Sequence, residues 1–347
     1  MAVEPLPDAS DARPAPERHS RGPARPADTE PPPPTKAVYG GFAYFQGAIV
    51  PFDDAKVSVG THALNYGTAC FEGIRGYWNP DQQEIYLVKL AEHYQRFLKS
   101  TALLKIKLHE SVDQLCELTR EIVRRDGYRT DVYVRPIAYK ASAMIKVDLH
   151  SPEDAVAIFA LPMGAYASID GLRVTVSSWR RTSDNSIPAR AKITGAYINT
   201  ALATEDAMAA GYDDCLMLTE DGHIAEGSAA NFFMVQGKTL ITPPVTDDIL
   251  VGITRAAVMQ LSGDLDLDVV ERSIDRTEVY QVDEAFFCGT GIQVAPIVEV
   301  DGRPVGSGRP GKITLGLQEA YFRAVRGQDP RYRQWCTPVY EGMPRIT

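Results

Sequence analysis

The sequence lacks the features that mark membrane, disulfide-rich and metal-binding proteins. No apolar run approaches the ~20 residues that a membrane-spanning helix needs. The five cysteines among 347 residues are scattered, odd in number and without a C-x-x-C pair, so we expect free thiols in a reducing cytoplasm. The six histidines form no H-E-x-x-H or H-x-H group, and we therefore expect no metal site.

Positive charge is also in short supply. The 36 Lys and Arg residues are outnumbered by 45 Asp and Glu residues, which gives a net charge of −9. A nucleic acid or an anionic membrane would need a basic face, so neither is expected as a partner. With 44% hydrophobic and 23% charged residues, the composition is typical of a soluble globular protein with two modest domains or one large one.

The first 36 residues differ in composition from the rest of the chain. They hold ten of the 24 prolines and almost no large apolar side chains. Such a segment cannot bury enough apolar surface to offset the entropy lost on ordering, so 1–36 is predicted to be a disordered tail. It has no apolar core for a signal peptide, and its acidic residues argue against a transit peptide.

Apolar spacing predicts an α+β fold for the rest of the chain. Helical periodicity runs over 87–104 and 112–123, whereas 132–139 has the composition of a strand. We expect the functional site in the cleft between two domains, where ligand sites commonly form. The predicted order is a small α+β domain (37–162), an interdomain loop (163–171), a larger domain (172–330) and a C-terminal tail (331–347).

Two short segments carry most of the chemistry. The segment Asn185–Tyr197 places Lys192 among small residues, five positions before Tyr197, and Ile224–Asn231 places Glu226 beside a glycine. A lysine that must form an imine needs a desolvated pocket, and a carboxylate that must hold a pyridinium proton needs rigid backbone support. Together the segments resemble the cofactor site of fold type IV pyridoxal-phosphate aminotransferases, in particular the branched-chain amino acid aminotransferase family.

The resemblance implies how pyridoxal 5'-phosphate would be held. Lys192 would bind it as an imine and move the proton of the substrate. Tyr197 would donate to the phenolate oxygen, and Glu226 would keep the pyridine nitrogen protonated, which makes the ring an electron sink. The phosphate would be bound by a helix arginine, by the start of the Gly-Ile-Thr-Arg helix and by a threonine hydroxyl, that is by Arg96, Ile253, Thr254 and Thr290.

The resemblance also implies a substrate site that accepts an apolar and an acidic side chain in turn. Tyr133 would help to bind the α-carboxylate together with the amide of Gly291, and Arg135 would meet the distal carboxylate of glutamate or 2-oxoglutarate. Spacing of two puts Tyr133 and Arg135 on one face of a strand. Phe71 would form the apolar wall of the pocket, and Tyr166 would be the aromatic residue of the interdomain loop. Tyr66 and Val147 would reach into a neighbouring subunit's site. The last two imply a homodimer.

The expected function is transamination of leucine, isoleucine or valine with 2-oxoglutarate in the cytoplasm, on small-molecule substrates alone. The chain departs from the family pattern at Ile193-Thr-Gly195, Ala230, Met163 and Gly291-Ile-Gln293, which leaves a specialised amino donor open. Arg75 is interpreted as a structural ion-pair partner and is left outside the site.

Other activities remain open at this point. D-amino-acid aminotransferases, (R)-amine transaminases and aminodeoxychorismate lyases share the lysine and the glutamate, but Tyr133-x-Arg135 and the stretch His62–Arg75 favour the branched-chain class. A catalytically silent binding module would have lost Lys192 or Glu226. A nicotinamide-dependent oxidoreductase would need G-x-G-x-x-G after a first strand, and Gly289-Thr-Gly291 lacks the third glycine.

Overall fold

The computed structural model describes residues 41–150, 153–164 and 171–341. The predicted tail 1–36 lies outside these residues. Within them, helices and strands alternate irregularly, as expected of an α+β chain. The helices are α1 (His62–Tyr66), α2 (Leu90–Leu103), α3 (Val112–Asp126), α4 (Tyr197–Ala209), α5 (Ile253–Asp264) and α6 (Lys312–Val325).

The first sheet is antiparallel and comes mainly from the N-terminal part of the described chain. Its centre is a long pairing of two nine-residue strands, and its hairpin turns at Gln46 and Gly47, both with positive φ. The predicted strand at 132–139 is confirmed. The strands are β1 (Phe42–Phe45), β2 (Ala48–Pro51), β3 (Ala69–Phe71), β4 (Ile74–Asn79), β5 (Glu84–Val88), β6 (Val132–Lys140) and β7 (Asp154–Pro162).

The predicted helix over 87–104 begins later than its periodicity indicated. Leu87 and Val88 end strand β5, and α2 starts at Leu90 after Lys89, whose φ of 49° is left-handed. Apolar residues at strand spacing and at helix spacing follow one another there, so periodicity alone did not locate the boundary. By contrast, α3 agrees with the prediction, because Ser111 and Gln114 form a capping box at its start.

The second sheet mixes parallel and antiparallel pairs and closes on itself. Its order is β10-β9-β8-β15-β14-β11-β12-β13, and β10 also pairs with β11, which joins six strands into a ring. Glu226 and Asn231 form the pair that closes it. The strands are β8 (Leu172–Arg180), β9 (Asp214–Leu218), β10 (Ile224–Gly227), β11 (Asn231–Gln236), β12 (Thr239–Thr242), β13 (Asp268–Glu271), β14 (Glu284–Gly289), β15 (Gln293–Val300) and β16 (Arg303–Pro304).

The segment after residue 330, predicted to be a C-terminal tail, contributes one strand to the first sheet. Residues Pro330–Trp335 form a short 3₁₀ helix, and Cys336–Pro338 form β17, antiparallel to β5. The buried Glu84 carboxylate accepts hydrogen bonds from the backbone N–H groups of Val339 and Tyr340, just after β17. The segment also buries Trp335, whose exposure is 2%.

The helices pack against the two sheets in separate hydrophobic cores. One core packs α2 and α3 against the first sheet, and another packs α5 and α6 against the second, where Phe233 and Phe286 stack at 5.1 Å. The predicted interdomain loop 163–171 falls between β7 and β8, where the chain passes from one sheet to the other. The domain boundaries themselves stay a prediction. No helix in the described ranges is long and apolar enough to cross a membrane.

Candidate active site

Lys192 lies in a niche between elements of the two sheets. Its carbonyl accepts a hydrogen bond from the N–H of Phe71 at 3.0 Å, and its own N–H donates to Ser100 Oγ at 3.3 Å. The side-chain Nζ donates to the hydroxyl of Tyr197 at 2.5 Å, and it lies 5.0 Å from the ring centroid of Phe71 and 5.1 Å from that of Tyr197. A lysine held at both its backbone and its amine differs from the freely solvated lysine that is usual at a surface.

The loop that carries Lys192 packs closely against the backbone at Gly67, between α1 and β3. The N–H of Gly195 donates to the carbonyl of Gly67, and a Cβ on Gly67 would lie 2.8 Å from the Gly195 Cα. Gly67 also has a φ of 66° as the cap of α1, so glycine is required there for two reasons. This backbone contact holds the Lys192 loop against β3.

Glu226 is a buried carboxylate with three partners. Its Oε2 accepts from Asn231 Nδ2 at 2.9 Å and from the N–H of Leu250 at 3.2 Å, and its Oε1 lies 2.9 Å from Arg181 Nη2. Burial raises the pKa of Glu226, and the positive charge of Arg181 opposes that rise. The rigid support that the sequence analysis required for this carboxylate is therefore present.

The signature asparagine links Glu226 to the start of α5. Asn231 Nδ2 also donates to the carbonyl of Leu250 at 2.9 Å. A Cβ on Gly252 would lie 1.9 Å from Asn231 Oδ1, so the Gly-Ile-Thr-Arg sequence needs its glycine to admit this side chain. The sequence offered one indication of this contact, the short spacing between Glu226 and Asn231. No role had been predicted for Asn231.

The start of α5 has the groups that an anion requires. Gly252 caps the helix without a side-chain hydrogen bond, so the first N–H groups of the helix remain available at the positive end of its dipole. Arg96 reaches this point from α2, since its Nη1 donates to the carbonyl of Val251 at 2.9 Å. Ile253, Thr254 and Thr290 line one small cavity, to which Arg75, Lys89 and His93 also contribute. The four residues predicted for the phosphate are thus brought to one place.

Arg96 is held by a carboxylate that the sequence analysis missed. Glu72, fully buried in the segment between β3 and β4, accepts from Arg96 Nε at 2.7 Å and from Nη2 at 2.8 Å, and lies 2.8 Å from His93 Nδ1. Burial alone would raise the pKa of Glu72, but Arg96 and His93 hold it at about 2. Burial lowers the pKa of His93. Glu72 lies within the stretch His62–Arg75, and only its burial beside Arg96 and His93 gives it this role.

Of the predicted substrate residues on strand β6, Arg135 packs on the same Phe71 ring that Lys192 Nζ approaches. Arg135 Nη2 donates to the hydroxyl of Tyr133 at 3.0 Å, and the Arg135 guanidinium sits 4.5 Å from the ring centroid of Phe71. A Cβ on Gly73 would come within 2.0 Å of the Tyr133 hydroxyl, so glycine there makes room for it. Phe71 thus joins the lysine niche to the tyrosine–arginine pair.

The other predicted positions are more scattered. Gly291 lies in the turn between β14 and β15, next to Thr290. Tyr66 ends α1 and packs against His62, whose Nε2 lies 2.7 Å from the carbonyl of Lys146. Val147, the following residue, is 82% exposed. Tyr66 and Val147 therefore lie on neighbouring segments, and Tyr166 lies outside the described residues.

Arg75 corrects one interpretation of the sequence. Its guanidinium, 1% exposed, donates from Nη1 to the carbonyl of Met163 at 2.7 Å and from Nη2 to that of Gly164 at 2.8 Å. It bonds to backbone carbonyls where a carboxylate partner was expected. Arg75 therefore secures the first residues of the segment that follows β7.

The donor set fits pyridoxal phosphate. An amine for the aldehyde, a phenol beside it, a buried carboxylate for the ring nitrogen, and a helix start with an arginine and two threonines for the phosphate occur in one region. The buried Arg135 Nε has no hydrogen-bond partner among the described residues. Such an orphaned donor is expected where a ligand supplies the missing acceptor.

Comparison with known proteins places the chain in one family. The class IV amino-transferase pattern matches residues 69–300. A probable branched-chain-amino-acid aminotransferase from Aquifex aeolicus is 46% identical over 302 residues, which cover 86% of this chain and 97% of that protein.

Two solved structures share both fold and sequence with the chain. One is the branched-chain aminotransferase of Thermoproteus uzoniensis with norvaline, 40% identical with a TM-score of 0.84, covering 87% of this chain and 100% of the other. The second, the branched-chain amino acid aminotransferase of T.th., is complexed with N-(5'-phosphopyridoxyl)-L-glutamate; it is 38% identical with a TM-score of 0.83, covering 86% and 99%. The predicted α+β fold of type IV is confirmed. The chain therefore belongs to the class IV aminotransferases, and within them to the branched-chain-amino-acid aminotransferase family.

Proposed function

We propose that the protein is a pyridoxal-phosphate-dependent aminotransferase that moves the amino group of leucine, isoleucine or valine to 2-oxoglutarate. The observation that carries the proposal is the Lys192 amine, bonded to the Tyr197 hydroxyl and facing the Phe71 ring, in a fold whose second sheet buries Glu226. The ligand held by the T.th. relative joins the cofactor to glutamate, which supports both cofactor and acceptor here.

The bound cofactor supplies an aldehyde that takes up the amino group and a ring that withdraws electrons from the reacting carbon. Lys192 binds the aldehyde and, once released, is the base that carries the proton between the two reacting carbons. Tyr197 holds the lysine amine in place through its 2.5 Å hydrogen bond and donates to the phenolate oxygen. Glu226, as a carboxylate, keeps a proton on the ring nitrogen.

Arg96, the start of α5 and Thr290 would hold the cofactor's phosphate and so fix the orientation of the reacting groups. Arg96 contributes its remaining guanidinium N–H groups, because Glu72 and the Val251 carbonyl occupy three of the five. The start of α5 contributes the N–H groups of Ile253 and Thr254, and Thr290 contributes its hydroxyl. Orientation of this kind lowers the entropic part of the activation free energy, because the reacting atoms are already aligned.

Two kinds of side chain must bind in the same pocket during one catalytic cycle. Phe71 offers an apolar wall to a branched side chain, and the Arg135 guanidinium, 4.5 Å from its ring centroid, offers a cation to a carboxylate. Tyr133 and the Gly291 amide bind the α-carboxylate.

The finer features of the assembly belong to the same proposal. The site lies between a small domain, 37–162, and a larger one, 172–330. Tyr66 and Val147 reach the neighbouring subunit's site in a homodimer, which is supported by the exposure of apolar Val147 and of Val59 and Leu64 near Tyr66. The enzyme works in the cytoplasm on small molecules.

The experiment that tests the function is the visible absorption spectrum of the purified protein, before and after L-leucine and, separately, D-alanine. A cofactor band that bleaches with L-leucine and not with D-alanine is expected. Bleaching by D-alanine alone would move the chain to the D-specific aminotransferases, and release of pyruvate without a keto-acid acceptor would indicate a lyase. Absence of any band after reconstitution would contradict the roles of Lys192 and Glu226.

A further inference from the structure

The arginine that pairs with Glu226 lies outside the Lys192 segment Asn185–Tyr197 and the Glu226 segment Ile224–Asn231. Arg181 directly follows β8, and its Nη2 lies 2.9 Å from Glu226 Oε1. The side chains are 13% and 5% exposed, so water and salt screen the pair only weakly. Because removing one member of a buried pair leaves the other charge uncompensated, the pair is expected to act as a unit.

Arg181 is itself held by a backbone carbonyl. Its Nε donates to the carbonyl of Asp248 at 3.1 Å. Asp248 has a left-handed φ of 55°, and its Oδ1 accepts from the N–H of Asp184 at 2.9 Å. The segment that leads to Lys192 and the segment that leads to α5 therefore meet at Asp248. Arg181 extends from this junction to Glu226.

Several charges and titratable groups face the Glu226 carboxyl. Burial raises its pKa, and Arg181 is the strongest opposing charge, with Lys192 and Arg96 acting in the same direction. From β14, the Cys288 thiol also faces it, and burial raises the pKa of that thiol so that it stays neutral. A protonated carboxyl no longer attracts a cation, so the balance between burial and Arg181 decides whether Glu226 is charged.

We propose that Arg181 is a positioning residue of the reaction, which acts through Glu226 by keeping that carboxylate ionised and aimed at the cofactor's ring nitrogen. The inference rests on the proposed function, since that function assigns Glu226 to the nitrogen. Arg181 supplies a fixed positive charge beside one oxygen of the carboxylate. Asn231 and the Leu250 N–H orient the second oxygen.

The first test is the pH profile of kcat/KM for three variants of the holoenzyme. In R181M the acid limb is expected to move upward by about one pH unit or more, because an opposite charge at this distance lowers a carboxyl pKa by roughly that amount. R181K should return the limb most of the way. R180M is the matched control, since Arg180 is the exposed neighbour, and its profile should coincide with that of the wild type.

The second test uses the full chain without cofactor and asks whether the two residues are coupled. The free energy of unfolding is measured at neutral pH for E226Q in the wild-type and R181M backgrounds. E226Q should destabilise the wild type, because it leaves Arg181 unpaired, and should stabilise R181M, because it removes an unpaired buried carboxylate. In R181M the gain should shrink as the pH falls and the carboxyl takes up a proton.

The outcomes separate this inference from the proposed function. Additive effects of the two substitutions on stability, or an R181M acid limb that coincides with that of R180M, would overturn the role of Arg181. A wild-type protein that transfers no amino group would instead overturn the proposed function, while the unfolding measurements still decide whether Arg181 and Glu226 act as a pair.

Discussion

Replacing Glu72 by glutamine tests most directly how much the buried Glu72 carboxylate, which holds Arg96 at the candidate phosphate site, contributes to stability. Glu72 is fully buried and binds Arg96 through two hydrogen bonds and His93 through a third contact. Its pKa falls from the ordinary 4.5 to about 2, which corresponds to roughly 3 kcal/mol of folding free energy at neutral pH. Because the folded-state pKa is lowered, this stabilisation is present above about pH 4.5 and is lost as the pH falls toward 2.

The expected result for E72Q is a loss of about 3 kcal/mol at pH 7, measured by urea unfolding of the protein without cofactor. The difference from wild type should narrow in acid, where the wild-type carboxyl also becomes neutral. E92Q is the matched control: Glu92 lies on the same helix as Arg96, is 44% exposed and pairs with Lys89 at 3.2 Å. That surface pair should contribute at most about 1 kcal/mol. Equal stability of E72Q and E92Q at pH 7 would refute the reasoning.

Three further predictions concern the cofactor and the substrate. E226Q should retain cofactor binding but lose turnover by roughly a hundredfold or more, and near-normal steady-state turnover would contradict the assignment of Glu226. G252A should cost about 1–3 kcal/mol, because its Cβ would lie 1.9 Å from Asn231 Oδ1. In the same helix, G263A meets nothing within 4 Å and should leave the urea unfolding midpoint unchanged or raise it; equal midpoints for the two variants would count against the steric argument. R135M should still bleach the cofactor band with L-leucine but respond to glutamate at least about tenfold more weakly; equal losses for both donors would argue against a dedicated carboxylate contact.

Some contacts among the candidate site residues follow from short segments with fixed spacing. Lys192 and Tyr197 stand five positions apart, and the structure joins them by a 2.5 Å hydrogen bond. Tyr133 and Arg135 stand two apart on one strand, and spacing of two places both on the same face. Local geometry carries such relations whatever the rest of the fold does.

Residues that act through distant partners could not be found in this way. Glu72 and Arg96 are 24 positions apart, and the partner of Glu226 is the still more distant Arg181, so no local spacing indicates either pair. Arg75 was interpreted as an ion-pair partner, yet the tertiary fold gives it two backbone carbonyls of the segment after β7. The sequence does not show whether a charged side chain will be buried, and only a buried charge needs a hydrogen-bond or ion-pair partner.

The sequence by itself indicated the fold class and singled out Lys192 and the start of α5 as candidate site residues, because periodicity and short motifs encode local structure. Only the tertiary structure decided which charges hold these groups in place. It also decided that the C-terminal segment forms β17 beside β5, since that pairing joins Cys336 to the distant Val88. Burial is the physical reason for both: it removes water from Glu72 and Glu226, and the free energy of each then depends on partners that only the folded chain supplies.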